Sequence, residues 1–248
     1  MRILATAALV LAACSSAEPS ALRPQADITV FAGSSLTDVF NRLGGDFRTT
    51  DPSVRFRFNF GSSSTLATQI VSGAPADVFA SADEDNMAKV TDAGMTDGTA
   101  QPFAGNRLEI AVAPGNPKRI AGPSDLARPD VVLVLAAPTV PAGKYALEAL
   151  KKAGLSVRPV SQEIDVRAVL NKVALGEADA GIVYVTDVRS AGGRVSGVDI
   201  PATDQVTARY PVVVIKGTKV PELAHRFVDY VLSAGGQQTL ASFGFSSP

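Results

Sequence analysis

The sequence contains one cysteine, one histidine and no run of five or more like charges. The single cysteine, Cys14, excludes an intramolecular disulfide. The single histidine, His225, lies in a helical pattern near the C-terminus, remote in sequence from every serine-rich turn, and there is no Gly-x-Ser-x-Gly motif. Because a catalytic serine would lack its base, we expect that the protein is not an enzyme and keep a serine-dependent hydrolase only as a distant alternative.

Charged residues are also scarce: they make up 19% of the chain, and the net charge is −1. Without a clustered basic surface, a nucleic-acid partner is not expected. The acidic residues show no metal-ligand spacing, so no cofactor or free metal ion is expected either. Four aspartates near predicted element boundaries are expected to cap helices or to lie at the surface: Asp77, Asp83, Asp165 and Asp187.

The N-terminal apolar run is too short to cross a bilayer and has the layout of an export signal. It ends in Leu11-Ala12-Ala13-Cys14, which resembles a lipobox, where a signal peptidase cuts before the cysteine and a diacylglycerol is attached to its sulfur. We therefore predict a signal peptide at residues 1–13, lipidation at Cys14 and a flexible tether over residues 14–26. The expected location is the outer face of the cytoplasmic membrane, held by the lipid, or the periplasm.

After residue 26, short apolar segments alternate with helical patterns, which predicts an α/β fold. Seven segments are predicted as strands: 28–32, 54–60, 77–80, 108–112, 131–136, 181–184 and 211–215. Strict alternation in 54–60 favours a strand near an edge with one wet face. One helical pattern is expected to end at Gly176, and the last one at Gly235-Gly236.

Two of the predicted strands run into serine-rich turns that open a helix. In the first turn Ser35 is placed to cap the helix, with Asp38 completing a capping box, whereas residues 62–65 offer four consecutive hydroxyls where a cap needs one. Further helix starts follow at residues 138–145 and 165–167. Amides at helix starts lack intrahelical partners and carry partial positive charge, so converging starts form an anion site. The alternative is that the serines only cap their own helices.

These turns belong to a series of motifs that resembles the periplasmic molybdate-binding proteins of the molybdate ABC importer. The resemblance covers about residues 27–246, and the motifs stand in that family's order. They are FAGSSL at 31–36, FGSSSTL at 60–66, GAPADVF at 73–79, SAD at 81–83, VPAGKYA at 140–146, DVR at 165–167 and GIVY at 181–184.

The resemblance implies a set of ligand residues for a tetrahedral oxyanion. In that family one serine of each serine turn, backbone amides at Pro-Ala-Gly and Asp-Val-Arg, and a tyrosine hydroxyl hold the anion. The matching positions here are Ser35, Ser63, Ala142, Val166 and Tyr184. Ser34 stands where the family usually has alanine and is a candidate additional contact. The implied ligand is molybdate or tungstate, with molybdenum bound only as the oxyanion; sulfate or phosphate is the alternative, because helix starts do not distinguish the central atom.

The resemblance also implies a two-lobed periplasmic-binding-protein fold of type II, in which each lobe is a mixed sheet flanked by helices and the ligand lies in the cleft. Lobe one is predicted at residues 27–105 plus 211–248 and lobe two at 106–210, so the chain crosses between the lobes near Gly105-Asn106 and near Tyr210. Ligand binding is expected to draw the lobes together. The implied partner is an ABC transporter permease, and a monomer is expected.

Overall fold

A computed structural model describes residues 25–248 of the protein. The predicted signal peptide, the predicted lipidation site Cys14 and nearly all of the predicted tether lie outside these residues. Within residues 25–248, no helix is both long and apolar enough to cross a membrane.

Strands and helices alternate along most of the described chain, as the apolar pattern predicts. The strands are β1 (Ala26–Gly33), β2 (Val54–Gly61), β3 (Val78–Ala80), β4 (Thr96–Val112), β5 (Leu133–Ala136), β6 (Ser161–Glu163), β7 (Ala180–Tyr184), β8 (Ser196–Asp199) and β9 (Thr207–Ile215). The α-helices are α1 (Thr37–Thr50), α2 (Ser63–Val71), α3 (Glu84–Asp92), α4 (Pro141–Lys152), α5 (Val166–Ala174), α6 (Val185–Ser190), α7 (Pro221–Leu232) and α8 (Ala234–Ser242).

The strands form a continuous hydrogen-bonded sheet in the order β2-β1-β3-β9-β4-β7-β5-β6, and β8 pairs with β4. β1 and β2 are parallel and in register, so that Gly33 at the end of β1 lies opposite Gly61 at the end of β2. The two serine-rich turns that follow these glycines therefore begin side by side at one edge of the sheet. This is the edge at which open α/β sheets bind their ligands.

The two halves of the sheet are joined by β4 and β9. The first part of β4, as far as Arg107, pairs with β9, whereas residues 108–112 pair with β7 and residues 109–112 also pair with β8. β9 in turn pairs with β3 through residues 212–214. The predicted crossovers near Gly105-Asn106 and Tyr210 fall on these two strands, and the division into lobes at those residues remains a prediction.

Helix α1 is fixed to the sheet by one apolar face. Val39, Phe40, Leu43 and Phe47 are buried at helical spacing. The ring of Phe40 lies edge-on to that of Phe103 on β4, with 5.9 Å between centroids. Burying an aromatic or aliphatic side chain of this size stabilises a fold by about 1.5–3 kcal/mol, so this face holds the start of α1 in place beside the first serine turn.

The prediction that the last helical pattern ends at Gly235-Gly236 is wrong. Both glycines lie in the first turn of α8, which Ser233 caps by accepting a hydrogen bond from the amide of Gly236 at 3.2 Å. A Cβ atom at Gly236 would lie 2.2 Å from the carbonyl oxygen of Tyr230, so this glycine permits close packing of α8 on α7. Gly176, by contrast, follows α5 with φ +72°, the left-handed conformation expected at a helix end.

Strand extents differ from the predictions where the sequence is polar. β4 begins twelve residues before the predicted segment at 108–112, and the short polar strands β6 and β8 were not predicted. β2 lies at the end of the sheet, as its alternating pattern predicts, and its outward-facing Arg55 and Arg57 pair with Asp27 at 2.7 Å each. β6 and β8 carry little apolar surface, so hydrogen bonds to the neighbouring strands β5 and β4 hold them in the sheet.

Candidate functional site

The serine turns and the later helix starts surround one small cavity. About 200 Å³ of space not filled by atoms lies between its walls and at its mouth, part of it open to solvent. The lining residues are Gly33, Ser34, Ser35, Gly61, Ser62, Ser63, Ala82, Val140, Pro141, Ala142, Val166 and Tyr184. They include all five predicted ligand residues together with Ser34. None of the lining residues carries a charged side chain, so the walls offer a ligand neutral hydroxyl and amide groups.

At the second serine turn, two neighbouring serines have different roles. Ser62 is the N-cap of α2, and its Oγ accepts a hydrogen bond from the amide of Thr65 at 3.2 Å. Ser63 takes no part in this cap; its Oγ accepts a hydrogen bond from the amide of Ala82 at 2.8 Å. Because an amide N–H can only donate, the Ser63 hydroxyl keeps its own proton for another acceptor.

The first serine turn does not form the predicted capping box. A short 3-10 turn, Ser34–Leu36, precedes α1, and no side chain caps either helix start. The prediction that Ser35 caps α1, with Asp38 completing a capping box, is therefore wrong. The Oγ of Ser35 instead lies 3.0 Å from the Oη of Tyr210, and both residues are buried.

The start of α4 brings an amide to the cavity wall. Pro141 is its first residue, and Val140 before it provides no side-chain cap, so the amide of Ala142 has no intrahelical partner. Gly143 allows this helix start to approach the preceding strand closely, since a Cβ atom there would lie 2.1 Å from the carbonyl oxygen of Ala137. The Pro-Ala-Gly motif thus places a free amide where the sequence predicts a ligand contact.

The start of α5 contributes a second amide. Asp165 caps this helix by accepting a hydrogen bond from the amide of Ala168 at 2.9 Å. Val166 lies between them at the first position of the helix, where an amide has no intrahelical acceptor. Val166 is buried and lines the cavity.

Tyr184 ends β7, and only 1% of its surface is exposed. Its hydroxyl has no hydrogen-bond partner among the described residues. Burial raises the pKa of Tyr184 well above its ordinary value, so the phenol keeps its proton. An unpaired buried donor costs about 1–3 kcal/mol, and a ligand oxygen in the cavity would remove that cost.

Asp187 holds the backbone of Tyr184 in place. Its Oδ2 accepts a hydrogen bond from the amide of Tyr184 at 3.1 Å at the start of α6. Its Oδ1 lies 2.9 Å from the Nε of Arg167, an ion pair without hydrogen-bond geometry. Burial raises the pKa of Asp187 to about 6, although the charge of Arg167 and the Tyr184 amide lower it.

Two ion pairs flank the cavity and join α4 and α5 to helices of the other half of the sheet. Arg167, next to Val166, pairs with Asp38 of α1 at 2.8 Å. Lys144, two residues after Ala142, pairs with Asp85 of α3. Both pairs are partly exposed, so each contributes at most about 1 kcal/mol.

The remaining aspartates and the histidine that stand out in the sequence have structural roles. Asp83 and Asp165 cap α3 and α5, and Asp77 accepts a hydrogen bond from the amide of Thr29 at 2.7 Å. His225 lies exposed on α7, where its Nε2 is 3.0 Å from Asp97. Neither the aspartates nor the histidine line the cavity.

Two buried residues near the cavity could not be identified from the sequence. Tyr210 on β9 contacts Ser35, and Asn106 on β4 contacts Tyr210 and Thr186. Burial raises the pKa of Tyr210 far above its ordinary value, so its hydroxyl is also a permanent donor. No local motif marks either residue, because each acts on a partner more than 70 positions away in the chain.

Comparison with known proteins relates the chain to bacterial solute-binding proteins. The family model for bacterial extracellular solute-binding proteins matches residues 28–246. The chain is 41% identical to the molybdate-binding protein ModA of Mycobacterium tuberculosis over 243 residues, which are 96% of this chain and 93% of that protein.

Two solved structures share its fold. The sulfate-binding protein SubI of Mycobacterium tuberculosis has a TM-score of 0.81 at 20% identity, covering 89% of this chain and 86% of that one. The periplasmic molybdate-binding protein of Azotobacter vinelandii has a TM-score of 0.78 at 22% identity, covering 89% and 99%. The predicted periplasmic-binding-protein fold is confirmed by these likenesses.

The matched family consists of solute-binding proteins rather than enzymes, and the match extends over nearly all of the described residues. The expectation that the protein is not an enzyme is thereby confirmed, and the hydrolase alternative is not favoured. The chain belongs to the bacterial extracellular solute-binding protein family.

Proposed function

We propose that this protein captures molybdate, or tungstate as its near-equivalent, outside the cytoplasm and delivers it to the permease of an ABC transporter. One observation carries the proposal. A cavity without charged side chains is lined by helix starts and hydroxyls, and the hydroxyl of Tyr184 is buried without a hydrogen-bond partner among residues 25–248. The name of the Mycobacterium tuberculosis relative, a molybdate-binding protein at 41% identity, supports the choice of anion.

A tetrahedral dianion fits the donors that this cavity provides. The hydroxyls of Ser35, Ser63 and Tyr184 and the amides of Ala142 and Val166 would each donate a hydrogen bond. The partial positive charges of the helix starts would offset the two negative charges without any cation in the cavity. Hydrogen bonds to a charged group contribute about 1.5–3 kcal/mol each.

Ser34 is proposed as an additional donor. It lines the cavity beside Ser35, and its carbonyl oxygen accepts a hydrogen bond from the Thr37 hydroxyl at 2.7 Å. Its own hydroxyl donates to no group among residues 25–248. A ligand oxygen would give this hydroxyl a partner.

Sulfate and phosphate are the alternatives of the same chemical class. The likeness to a sulfate-binding protein concerns the fold alone, because the two chains are only 20% identical. Phosphate carries a proton at neutral pH, and the cavity lining offers that proton no carboxylate, only hydroxyl oxygens, which are weaker acceptors. This argument favours fully ionised anions.

Ligand binding would close a cleft between two lobes, residues 27–105 plus 211–248 and residues 106–210. The proposed ligand residues divide between them, with Ser35 and Ser63 in the first lobe and the other three in the second. An anion that contacts both lobes favours the closed state. The flanking ion pairs of Arg167 and Lys144 join the same two parts of the chain.

We further propose that a lipid on Cys14 keeps the mature protein, a monomer, at the outer face of the cytoplasmic membrane after removal of residues 1–13. The lipobox at residues 11–14 supports this attachment. A tethered binding protein stays close to its permease.

A thermal-shift panel of oxyanions tests the proposal. Binding stabilises the fold by RT ln(1 + [L]/Kd), about 2.7 kcal/mol at 100 times Kd. For a chain of this size the melting temperature should rise by roughly 5 to 10 °C. An unchanged melting curve in millimolar molybdate would exclude molybdate as the ligand.

A further inference from the structure

Asp187 has no exposed surface, and its two carboxylate oxygens face two different parts of the chain. Oδ2 accepts a hydrogen bond from the amide of Tyr184, the last residue of β7, at 3.1 Å. Oδ1 lies 2.9 Å from the Nε of Arg167, the second residue of α5. The carboxylate therefore joins the end of β7 to the start of α5, and each of these carries a residue that lines the cavity, Tyr184 and Val166.

The two neighbours of Asp187 require a side chain with two acceptors. The backbone amide of Tyr184 and the guanidinium of Arg167 both present hydrogens to it, and neither offers a lone pair. A carboxylate presents one acceptor oxygen to each of them. A side-chain amide would turn its NH₂ group towards one of the two, whichever way it lay. Capping of α6 alone would need only one acceptor, so the second oxygen has a role beyond the cap.

The Tyr184 hydroxyl depends on this anchor, because it has no hydrogen-bond partner of its own among residues 25–248. Its position is set by the packing of its ring, whose centroid lies 5.9 Å from that of Tyr210, and by the backbone that Asp187 holds. On the other side of the carboxylate, Val166 immediately precedes Arg167 at the start of α5. A hydrogen bond weakens as its donor moves away from the acceptor, so a shift of either element would weaken contacts to an anion between them.

We propose that Asp187 is a positioning residue that, through its pair with Arg167, holds the Tyr184 hydroxyl and the Val166 amide at the separation that one oxyanion requires. Asp187 does not line the cavity. Its role is to keep two donors from different elements directed at the same anion. This inference rests on the proposed function and adds to it a residue behind the cavity wall.

Asp187→Asn keeps the size of the side chain and one acceptor oxygen, which is enough to cap α6, but it loses the second acceptor. Its molybdate affinity at pH 7 should fall by about 5- to 30-fold, because hydrogen bonds to a charged ligand are weakened. Calorimetry measures the affinity, and urea denaturation of the same samples measures the stability.

A double-mutant cycle distinguishes positioning from a general structural effect. In a Tyr184→Phe background, which lacks the hydroxyl to be positioned, Asp187→Asn should lower molybdate affinity by about 3-fold or less. In a Ser63→Ala background the loss should stay at about 5- to 30-fold, because Ser63 is held by the amide of Ala82 and not by Asp187.

Asp51→Asn is the matched control. Asp51 is buried and also lies between two donors: its Oδ1 accepts a hydrogen bond from the Ser53 hydroxyl at 2.7 Å, and its Oδ2 accepts one from the Nη2 of Arg226 at 2.8 Å. None of these three residues lines the cavity. The variant should lose stability and leave molybdate affinity unchanged.

Arg167→Gln removes the other half of the pair and serves if Asp187→Asn does not fold. Its molybdate affinity should also fall, and the loss should again shrink in the Tyr184→Phe background. Arg167 donates to Asp38 as well, at 2.8 Å, and Asp38→Asn isolates that contact. Because Asp38→Asn leaves the pair with Asp187 intact, its effect on affinity should be the smaller one.

The outcomes separate this inference from the proposed function. If the unaltered protein binds no molybdate, the proposed function fails and this inference fails with it. If it binds molybdate while Asp187→Asn and Arg167→Gln keep its affinity, the function stands and the positioning role is refuted. Equal losses in the Tyr184→Phe and Ser63→Ala backgrounds would show only a structural role and would also refute it.

Discussion

The Oγ of Ser63 lies 2.8 Å from the amide nitrogen of Ala82, whereas the adjacent Ser62 caps α2. These two contacts distinguish a serine that caps a helix from a serine whose hydroxyl could bind a ligand. Ser62 caps the helix, and Ser63 lines the cavity with a hydroxyl whose proton has no acceptor among residues 25–248.

The two serines provide a matched pair of substitutions. Ser63→Ala should lower molybdate affinity by about 10- to 150-fold, because it deletes one hydrogen bond to a charged group. Ser62→Ala should cost about 0.5–2 kcal/mol of stability through the lost cap, with a much smaller effect on binding. Calorimetry and urea denaturation of both variants check this. Unchanged affinity in Ser63→Ala would mean that the whole turn serves only as a cap.

Tyr184→Phe should weaken ligand binding without lowering the stability of the ligand-free protein. The variant removes a buried hydroxyl that has no partner among the described residues, so the ligand-free protein should become no less stable. Its molybdate affinity should nevertheless fall by about 10- to 150-fold, since a donor to the anion is lost. Melting curves with and without molybdate measure both effects. Lower ligand-free stability with normal affinity would identify Tyr184 as a core residue.

Asp187 should make a pH-dependent contribution to stability. Its pKa is raised from 3.8 to about 6 in the folded protein, so the native state binds this proton more tightly than the unfolded chain does. The resulting stabilisation is present below about pH 4 and is lost as the pH rises through about 6. Between these values, the free energy of unfolding should decline relative to that of Asp187→Asn. Urea denaturation from pH 4 to 7 tests this, and parallel curves for the two proteins would contradict it.

The residues that line the cavity were predicted from the sequence more completely than the contacts between these residues. Ser35, Ser63, Ala142, Val166 and Tyr184 all line one cavity, because parallel strands end at one edge and motif order specifies which turns meet there. Their roles as ligand contacts remain predictions.

The contacts that were predicted wrongly, or not at all, depend on long-range packing. Ser35 was expected to cap α1, but a 3-10 turn intervenes and its hydroxyl contacts Tyr210, 175 positions later. Gly235-Gly236 was expected to end a helix, because a local pattern does not show that α8 packs closely on α7. Spacing along the chain identifies periodic faces and turns, whereas such contacts depend on how the elements pack.

The predicted anchor can be tested outside the described residues. If Cys14 follows a lipobox, the mature protein should partition with membranes, and Cys14→Ala should block processing and lipid attachment. Membrane fractionation with metabolic labelling by a fatty acid measures both. Normal lipid attachment in the Cys14→Ala variant would refute this assignment.

The central claim is that a cavity of neutral donors selects a fully ionised tetrahedral anion of molybdate size. Sulfate is fully ionised, but its oxygens lie closer to the central atom, so donors arranged around molybdate are too far away and each hydrogen bond weakens. Tungstate has the charge and nearly the size of molybdate, so rigid donors cannot distinguish the two. Phosphate at neutral pH carries a proton for which the cavity lining has no carboxylate, and a buried proton left unpaired costs about 1–3 kcal/mol.

Competition calorimetry at neutral pH is the most direct test. Molybdate and tungstate should bind with similar affinity, sulfate should bind much more weakly, and phosphate should hardly compete at millimolar concentration. Sulfate or phosphate binding as tightly as molybdate would contradict the account and would assign the protein to another oxyanion.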